Sequence, residues 1–435
     1  MRIAFCTLGC KVNQYETQAL EQLFAAWGHT LVPFEGEADV YVINSCTVTA
    51  VSDKKSRQVV RQARKRAPDA VVALCGCYPQ THPGDVAGLP VDIVAGTGDR
   101  VKFVELVERA WAERREKITA LDDAMKRRTF EALPAGGLEG RTRAMLKVED
   151  GCVNFCTYCI IPYARGPVRS LPLRDAAAQA AKLAAEGYKE LVLTGIEISS
   201  WGRDLKDGTS LIDLVEAVCA AAPGCRVRLG SLEPRTVTEE FCLRAEKLDN
   251  LCPHFHLSMQ SGCDATLKRM NRKYDTARFY ESVDLLRKHF DRPAVTTDMI
   301  VGFPGETEEE FAQSLDFIRR CGFAAMHIFP YSRRPGTPAA AMPGQVTKTA
   351  KEERAGRAAE IAAGMEQDYL SRFAGQAMEV LFEEERDGLW RGHTTRYCEV
   401  RVRSGENLHN QLRQVSVTGV GEGYLEGELL NFGNG

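Results

Sequence analysis

The stretch GCVNFCTYC at 151–159 places Cys152, Cys156 and Cys159 in a C-x-x-x-C-x-x-C spacing. Thiolates ligate iron, zinc and iron–sulfur clusters, and a structural site normally takes four protein ligands. No histidine lies nearby, and no further cysteine follows until Cys219. Three thiolates can hold three irons of a four-iron cube, leaving one iron open to nitrogen and oxygen donors. A zinc ion completed by a remote residue is the alternative. A second set stands earlier in the chain: Cys10 in LGCKVNQYET, Cys46 in VINSCTVT and Cys77 in LCGCYPQ. Each lies just past a candidate strand, so the three would meet at one sheet edge. On spacing alone, a second open cluster and scattered free thiols remain equally open.

The elements that position these residues separate into three regions. Residues 1–112 alternate short apolar runs (RIAFCTLG, VYVINSC, AVVALCGC, VDIVAG) with helical stretches such as NQYETQALEQLFAAWG. This is the pattern of a doubly wound parallel α/β domain, whose ligands gather at the C-terminal strand ends. A charged segment with Pro and Gly, 113–143, reads as a linker. Residues 144–346 repeat the alternation through AMLKVEDG, ELVLTGI, VRLGS, HFHLSMQ, VTTDMIVGF and AMHIFPYS. Six βα units fit a partial (β/α)6 barrel with its chemistry on the loops after the strands, and GCVNFCTYC follows the first. A connecting helix is expected over 347–370. Residues 371–435, with short alternating runs and glycine turns, suggest a small antiparallel β-barrel.

Composition narrows the classes. The chain has 435 residues, 44% hydrophobic and 26% charged, with a formal net charge of −3. That balance is not the global basicity of a nucleic-acid binder, so any such partner is held by local patches. No apolar run approaches the roughly 18 residues of a membrane span, and MRIAFCTLGC lacks a secretory pattern. These point to a cytoplasmic chain with no membrane partner. In that reducing compartment 15 cysteines favour metal chemistry over disulfides. Isolated ones such as Cys6, Cys219, Cys225, Cys242, Cys321 and Cys398 read as small buried hydrophobes.

The trio at 152–159, with Tyr158 before its last cysteine, resembles the radical S-adenosylmethionine (SAM) superfamily. That resemblance implies a [4Fe-4S] cluster whose open iron takes the amino and carboxylate groups of SAM, and an electron that cleaves SAM to a 5′-deoxyadenosyl radical. LTGIE at 193–197 resembles the superfamily's Gly-Glu stretch, implying that Gly195 and Glu197 meet the methionyl amine. HLSMQSGCD at 256–264 offers Ser258 and Gln260, and DMIVGFPGE at 298–306 would run beside the adenine through Ile300 and Gly302. Ahead of such a domain, the segments around Cys10, Cys46 and Cys77 resemble the methylthiotransferase family, and the match covers essentially the whole chain. It implies a second [4Fe-4S] cluster on those cysteines, presenting sulfur at its open iron, and a C-terminal barrel of TRAM type. LCGC departs from the family pattern. Alternation along a strand would point Cys75 and Cys77 the same way, making Cys75 a rival ligand, while the Gly-Cys-Tyr-Pro-Gln context favours Cys77.

Within the family, LGCKVNQYET and RLGSLEP resemble the branch acting on threonylcarbamoyladenosine in tRNA, as against those acting on isopentenyladenosine or a ribosomal protein. The resemblance implies methylthiolation at C2 of the adenosine beside the anticodon, with two SAM consumed. It also implies an anticodon stem-loop as partner and a reducing partner such as flavodoxin or ferredoxin. Asn13, Gln14, Arg333, Arg334 and Arg396 are the candidate substrate contacts. The basic run at 54–66 could meet phosphate, and His393, Tyr397 and Trp390 could stack on bases. A metal-dependent RNA-binding protein without catalysis is the reading from another class.

Overall fold

The computed structural model describes residues 1–113, 117–136 and 142–430. Six strands, β1 (Arg2–Thr7), β2 (Thr30–Val32), β3 (Val40–Ser45), β4 (Val71–Gly76), β5 (Ile93–Ala95) and β6 (Ile118–Ala120), form one sheet. Its order is β2-β1-β3-β4-β5-β6, with every pair parallel. The central strands are near-continuous apolar runs because helices cover both faces. Leu20, Phe24, Phe103 and Val107, from the helices Lys11–Ala26 and Arg100–Glu113, fill one face. Val59, Val60 and Ala63 of the helix Ala50–Arg66 fill the other with Tyr78. The doubly wound expectation therefore holds.

The segment expected as a linker, 113–143, needs one correction. Ile118–Ala120 pairs with β5 and extends the first sheet, because its short apolar alternation completes an edge. Residues 114–116 and 137–141 of that stretch lie outside the described residues.

The central region is an open half-barrel. Its principal strands are β7 (Arg143–Lys147), β10 (Glu190–Thr194), β11 (Arg226–Leu229), β12 (His254–Gln260), β13 (Ala294–Val301) and β14 (Ala325–Pro330). β8 (Glu149–Asp150) and β9 (Arg169–Ser170) form a short antiparallel pair at its mouth. The parallel triplets β11-β10-β7 and β12-β13-β14 are joined through bridges at Val227–Leu251 and Leu232–Leu257. All six expected strands are present. Its helices bury one continuous apolar core against the outer face of these strands.

The helix Lys348–Ser371 leads to β15 (Ala377–Arg386), β16 (Leu389–Thr394), β17 (Glu399–Arg403), β18 (Leu412–Val420) and β19 (Leu425–Leu429). These close into a barrel of order β15-β16-β17-β19-β18, around Val380, Phe382, Val400 and Val415. The last expected residues, 431–435, lie outside the described residues. Among the described residues, no helix is long and apolar enough to cross a membrane. Cys219, Cys225, Cys242, Cys321 and Cys398 are buried singly, as expected, and Cys6 is half-buried.

Candidate active site

Because β1, β3 and β4 are neighbours, the loops after them meet at one edge of the first sheet. Cys10 caps the helix Lys11–Ala26, Cys46 follows β3, and Cys77 opens the short helix Cys77–Thr81. Gly9 has φ +116°, and a Cβ there would stand 2.7 Å from Cys46 Cβ and 3.0 Å from its Sγ. Only glycine lets the Cys10 loop lie on Cys46. The thiols are within electrostatic reach of one another: Cys10 acts on Cys46, and both act on Cys77. Burial pushes the Cys77 thiol up to about 12, so it becomes a thiolate by binding a metal rather than by free ionisation.

Two expectations change here. Gly76, at φ +99°, breaks the extended run between Cys75 and Cys77, so alternation does not carry across it. Cys75 instead packs among Leu20, Ile93 and Phe103, against the Arg100 guanidinium. Asn13, named as a substrate candidate, is fully buried. Its amide donates to the carbonyls of Leu8 (2.8 Å) and Ser45 (3.0 Å), which holds the Cys10 loop against β3. Gln14 is exposed on the same helix.

The second trio lies on the loop after β8. Gly151, at φ +95°, passes so close to Pro167 that a Cβ would meet its carbonyl at 2.1 Å. Thr157 Oγ1 donates to the Arg269 carbonyl at 2.8 Å, and Asn271 Nδ2 to that of Phe155 at 2.9 Å. Arg272 donates to Cys156 Sγ at 3.2 Å and to the Ser258 carbonyl at 3.1 Å, with Tyr274 OH 2.9 Å from its Nε. Arg272 has no spacing signal in the sequence and was not among the candidates. Burial pushes the Cys159 thiol up to about 12.

The other candidates for this site surround that loop. Asn154 Nδ2 donates to Glu197 Oε2 at 3.3 Å, tying Glu197 to the Cys152 turn. Burial raises the Glu197 carboxyl to about 7, opposed by Arg272 and reinforced by Glu233. Its amide donates to Glu149 Oε2 at 2.7 Å, and a Cβ at Gly195 would meet that same oxygen at 2.7 Å. Glu149 is fully buried, its Oε1 has no partner among the described residues, and burial holds its carboxyl well above the ordinary range. Tyr158 meets Phe303 edge-on, and Ile300 packs with Phe303 and Tyr331. Gln260 sits at φ +66° where the β12–β13 register shifts. Gly302, at φ +68°, leaves room that Lys351 occupies. At Ser258 the backbone carbonyl, rather than the hydroxyl, is engaged.

A buried charge network joins the two trios. Glu16, on the helix after Cys10, meets Arg100 at 2.7 Å, Lys147 at 3.0 Å and Arg165. Asp150 meets Lys147 at 2.8 Å and Arg169 at 3.2 Å. Arg165 also donates to Asn13 Oδ1 at 2.8 Å, and its charge acts on Cys77. The helix Cys77–Thr81 packs on the helix Ile161–Arg165, which begins two residues after Cys159. Thus Cys77 and Cys159 each adjoin one side of a single helix–helix contact. Of these charges the Arg165 guanidinium favours a Cys77 thiolate, and Glu16 acts against it.

Two arginines named as substrate candidates make contacts between domains. Arg334 is buried, 2.7 Å from Asp53 and 2.6 Å from Thr47 Oγ1, locking the loop after β14 to the Cys46 loop. Arg396 donates to the carbonyls of Arg292 (3.0 Å) and Asp291 (2.8 Å), fixing the small barrel to the half-barrel. Arginines satisfy carbonyls and carboxylates at interfaces as readily as phosphates. Arg333 is exposed. Arg334→Ala would leave Asp53 buried without its partner, and is expected to cost about 3–5 kcal/mol, read as a lowered thermal midpoint in calorimetry. On the basic helix, Lys54, Lys55, Arg61 and Lys65 are exposed, while Arg57 and Arg64 bond to Tyr78 and Asp92.

Among the described residues, no three His, Cys, Asp or Glu side chains close on one point as ligands of a single metal ion. The all-thiol donor sets, the glycine-dependent loop approaches and the cations facing the thiols fit a larger thiolate-bound cluster.

Comparisons with known proteins agree with this geometry. The Radical SAM superfamily matches residues 146–318, and the family described as "Uncharacterized protein family UPF0004" matches residues 2–96. A Bacillus subtilis protein named threonylcarbamoyladenosine tRNA methylthiotransferase MtaB is 42% identical, over 98% of this chain and 96% of its own. One of the same name from Thermotoga maritima is 36% identical over 95% of each. A tRNA-2-methylthio-N(6)-dimethylallyladenosine synthase from Caldicellulosiruptor saccharolyticus is 31% identical over 98% and 91%. Among solved structures, the radical SAM methyltransferase TsrM from Kitasatospora setae superposes with a TM-score of 0.56 at 15% identity. That superposition covers 78% of this chain and 74% of the other, and shows the fold alone.

Proposed function

The chain belongs to the radical SAM methylthiotransferases that act on tRNA, and from that premise we propose that it methylthiolates C2 of N6-threonylcarbamoyladenosine at position 37, consuming two SAM molecules. SAM and an iron–sulfur cluster are its cofactors. We assign Cys152, Cys156 and Cys159 to the cluster that binds SAM, and Cys10, Cys46 and Cys77 to an auxiliary [4Fe-4S] cluster. The observation that carries this reading is the contact between the helix Cys77–Thr81 and the helix that follows Cys159. It sets the two cysteine groups on either side of one domain interface, as a reaction needing both requires. The division into 1–112, 144–346 and 371–435 gives each group its own domain.

When bound and reduced, the SAM-binding cluster supplies a 5′-deoxyadenosyl radical, chemistry that belongs to the cofactor. The chain's residues bind and orient. Glu197, half-buried with its carboxyl raised by desolvation, is placed to accept a hydrogen bond from the amine of SAM. Arg272 holds Cys156 in place, and Gly195 keeps the approach to Glu149 free of a side chain. Tyr158, Ser258, Gln260, Ile300 and Gly302 complete the walls. Val153, Phe155 and Tyr163, exposed beside the trio, offer a reducing partner such as flavodoxin or ferredoxin an apolar approach. Gln14, Arg333 and the exposed lysines of the basic helix are placed to meet an anticodon stem-loop.

A dimethylallyl substituent, as in the 31% relative, would prefer apolar walls. The strand starts at the end closed by the small barrel carry Arg143, Glu190, Arg226 and His254 instead, which favours a polar substituent. Nucleoside mass spectrometry of tRNA from cells with and without the protein tests the substrate. Loss of 2-methylthio-N6-threonylcarbamoyladenosine, with accumulation of its unthiolated precursor, is expected; an unchanged level would overturn the reading.

A further inference from the structure

The floor of the half-barrel carries a charged and aromatic group that the reaction above leaves unused. Arg143, Glu190 and His254 are the first residues of β7, β10 and β12, and Arg228 lies two residues into β11. The small barrel closes this end with the turn after β16. Arg228 donates to the carbonyls of Thr394 (3.2 Å) and Thr395 (2.8 Å). Tyr397 stacks on His393 at 4.6 Å, with the guanidiniums of Arg143 and Arg228 over its ring at 5.1 and 4.9 Å. Tyr397 as a residue is 41% exposed, so solvent reaches this end of the floor.

Lys11 reaches this floor from the first domain. Its charge acts on Arg143, Glu190, Arg228 and Tyr397, and is felt in turn by His254. The neighbouring cations have their own anions: Arg228 holds Glu190 through two bonds, of 2.7 and 2.9 Å, and Arg143 holds Glu383. Lys11 is exposed and makes no side-chain hydrogen bond or ion pair among the described residues. His254 gives a second, independent sign of a missing ligand. It is 8% exposed, one ring nitrogen lies 3.3 Å from Thr296 Oγ1, and the other, Nδ1, has no hydrogen-bond partner among the described residues. An accessible ammonium and an orphaned imidazole nitrogen beside an open aromatic ring match an anionic group small enough to enter.

We propose that Lys11 and His254 form a carboxylate subsite that selects target adenosines whose N6 substituent ends in an acid. This rests on the threonylcarbamoyladenosine reading and names the groups that read its carboxylate. Lys11 directly follows Cys10, so an N6 arm anchored on its ammonium holds the base beside the first cysteine trio. A dimethylallyl arm offers neither group a partner and leaves both desolvated, the asymmetry by which a polar site rejects an apolar analogue. Arg228 and Arg143 are each already paired, with Glu190 and Glu383, so they do not compete with Lys11 for the carboxylate.

The test uses the reconstituted enzyme and two anticodon stem-loop RNAs, one with threonylcarbamoyladenosine and one with its carboxamide analogue, which has no charge. Both kcat/KM and the Kd from fluorescence anisotropy are measured. The wild-type enzyme is expected to prefer the carboxylate RNA by roughly 10- to 100-fold, and Lys11→Met to reduce that ratio to about threefold or less. Lys11→Arg, which keeps the charge, should retain most of the preference, separating charge recognition from any effect on the Cys10 loop. A wild-type enzyme that treats the two RNAs alike overturns the proposal without any variant. So does a Lys11→Met enzyme that keeps the full ratio. A wild-type enzyme inactive on both RNAs but active on a dimethylallyl stem-loop would instead refute the substrate reading beneath it.

Discussion

Replacing Cys10, Cys46 and Cys77 together by alanine is expected to abolish methylthiolation while leaving reductive cleavage of SAM intact. Iron after anaerobic reconstitution should fall from about eight to about four per chain. The two trios stand on separate domains, and each loop is built by local contacts. Gly9 and Asn13 shape the first, while Gly151, Thr157 and Arg272 shape the second. Losing the first set of thiols therefore removes no contact that shapes the second. The reciprocal variant, with alanine at Cys152, Cys156 and Cys159, should also hold about four irons but release no 5′-deoxyadenosine. Cys75→Ala is the informative control, because that thiol lies in the apolar core against Arg100; its iron content should stay near eight. A first-domain variant that keeps all its iron would refute the auxiliary assignment. Zinc in place of iron throughout, without SAM cleavage, would favour a binding protein without catalysis.

Much of this architecture is legible from residue patterns. Runs such as VYVINSC and AVVALCGC can bury both faces only within a parallel sheet, which brings the cysteines after them to one edge. The thiol spacing at 152–159 specifies a loop and its chemistry together. Polar residues near a motif are a different matter. Asn13, Arg334 and Arg396 lie in or beside segments that suggest substrate, yet each satisfies backbone or carboxylate groups at an interface that no local pattern reveals. Arg165 and Arg272 escaped notice for the same reason, since a single arginine in IPYAR or MNRKY has no periodicity to betray a partner more than a hundred residues away. Cys75 misleads because alternation presumes an unbroken strand, and Gly76 at φ +99° ends it. Ile118–Ala120 was hidden by brevity, because three residues become a strand only when β5 offers an edge.

Glu16→Gln is expected to destabilise the protein by about 3–5 kcal/mol and to uncouple the two halves of the reaction. Glu16 is the single carboxylate shared by Arg100, Lys147 and Arg165, and the amide replaces it at nearly constant volume. The loss is therefore electrostatic: three buried cations remain around a neutral group. Burial opposes its charge, but Arg165, Lys147 and Arg100 together hold the Glu16 carboxyl well below the ordinary carboxylate range, and Asp150 is lowered to about 2 by Lys147, Arg165 and Arg169. Both are lower folded than unfolded, so their stabilisation is complete above about pH 4.5 and is lost as the pH falls toward 2. Urea midpoints of the metal-free wild type and variant should accordingly converge over that interval and differ most near neutrality. The functional consequence follows from Arg165, which bonds to Glu16 and Asn13 while its charge acts on Cys77. Loosening it lets the first domain shift against the SAM-binding loop, and a displacement near 1 Å can cost roughly 100-fold in a step requiring alignment. Radical generation needs only the second trio. The ratio of 5′-deoxyadenosine released to methylthio product formed should therefore rise by one to two orders of magnitude in the variant. If both fall in parallel, the network serves stability alone, and the alignment of the two trios rests on the helix contact between Cys77–Thr81 and Ile161–Arg165.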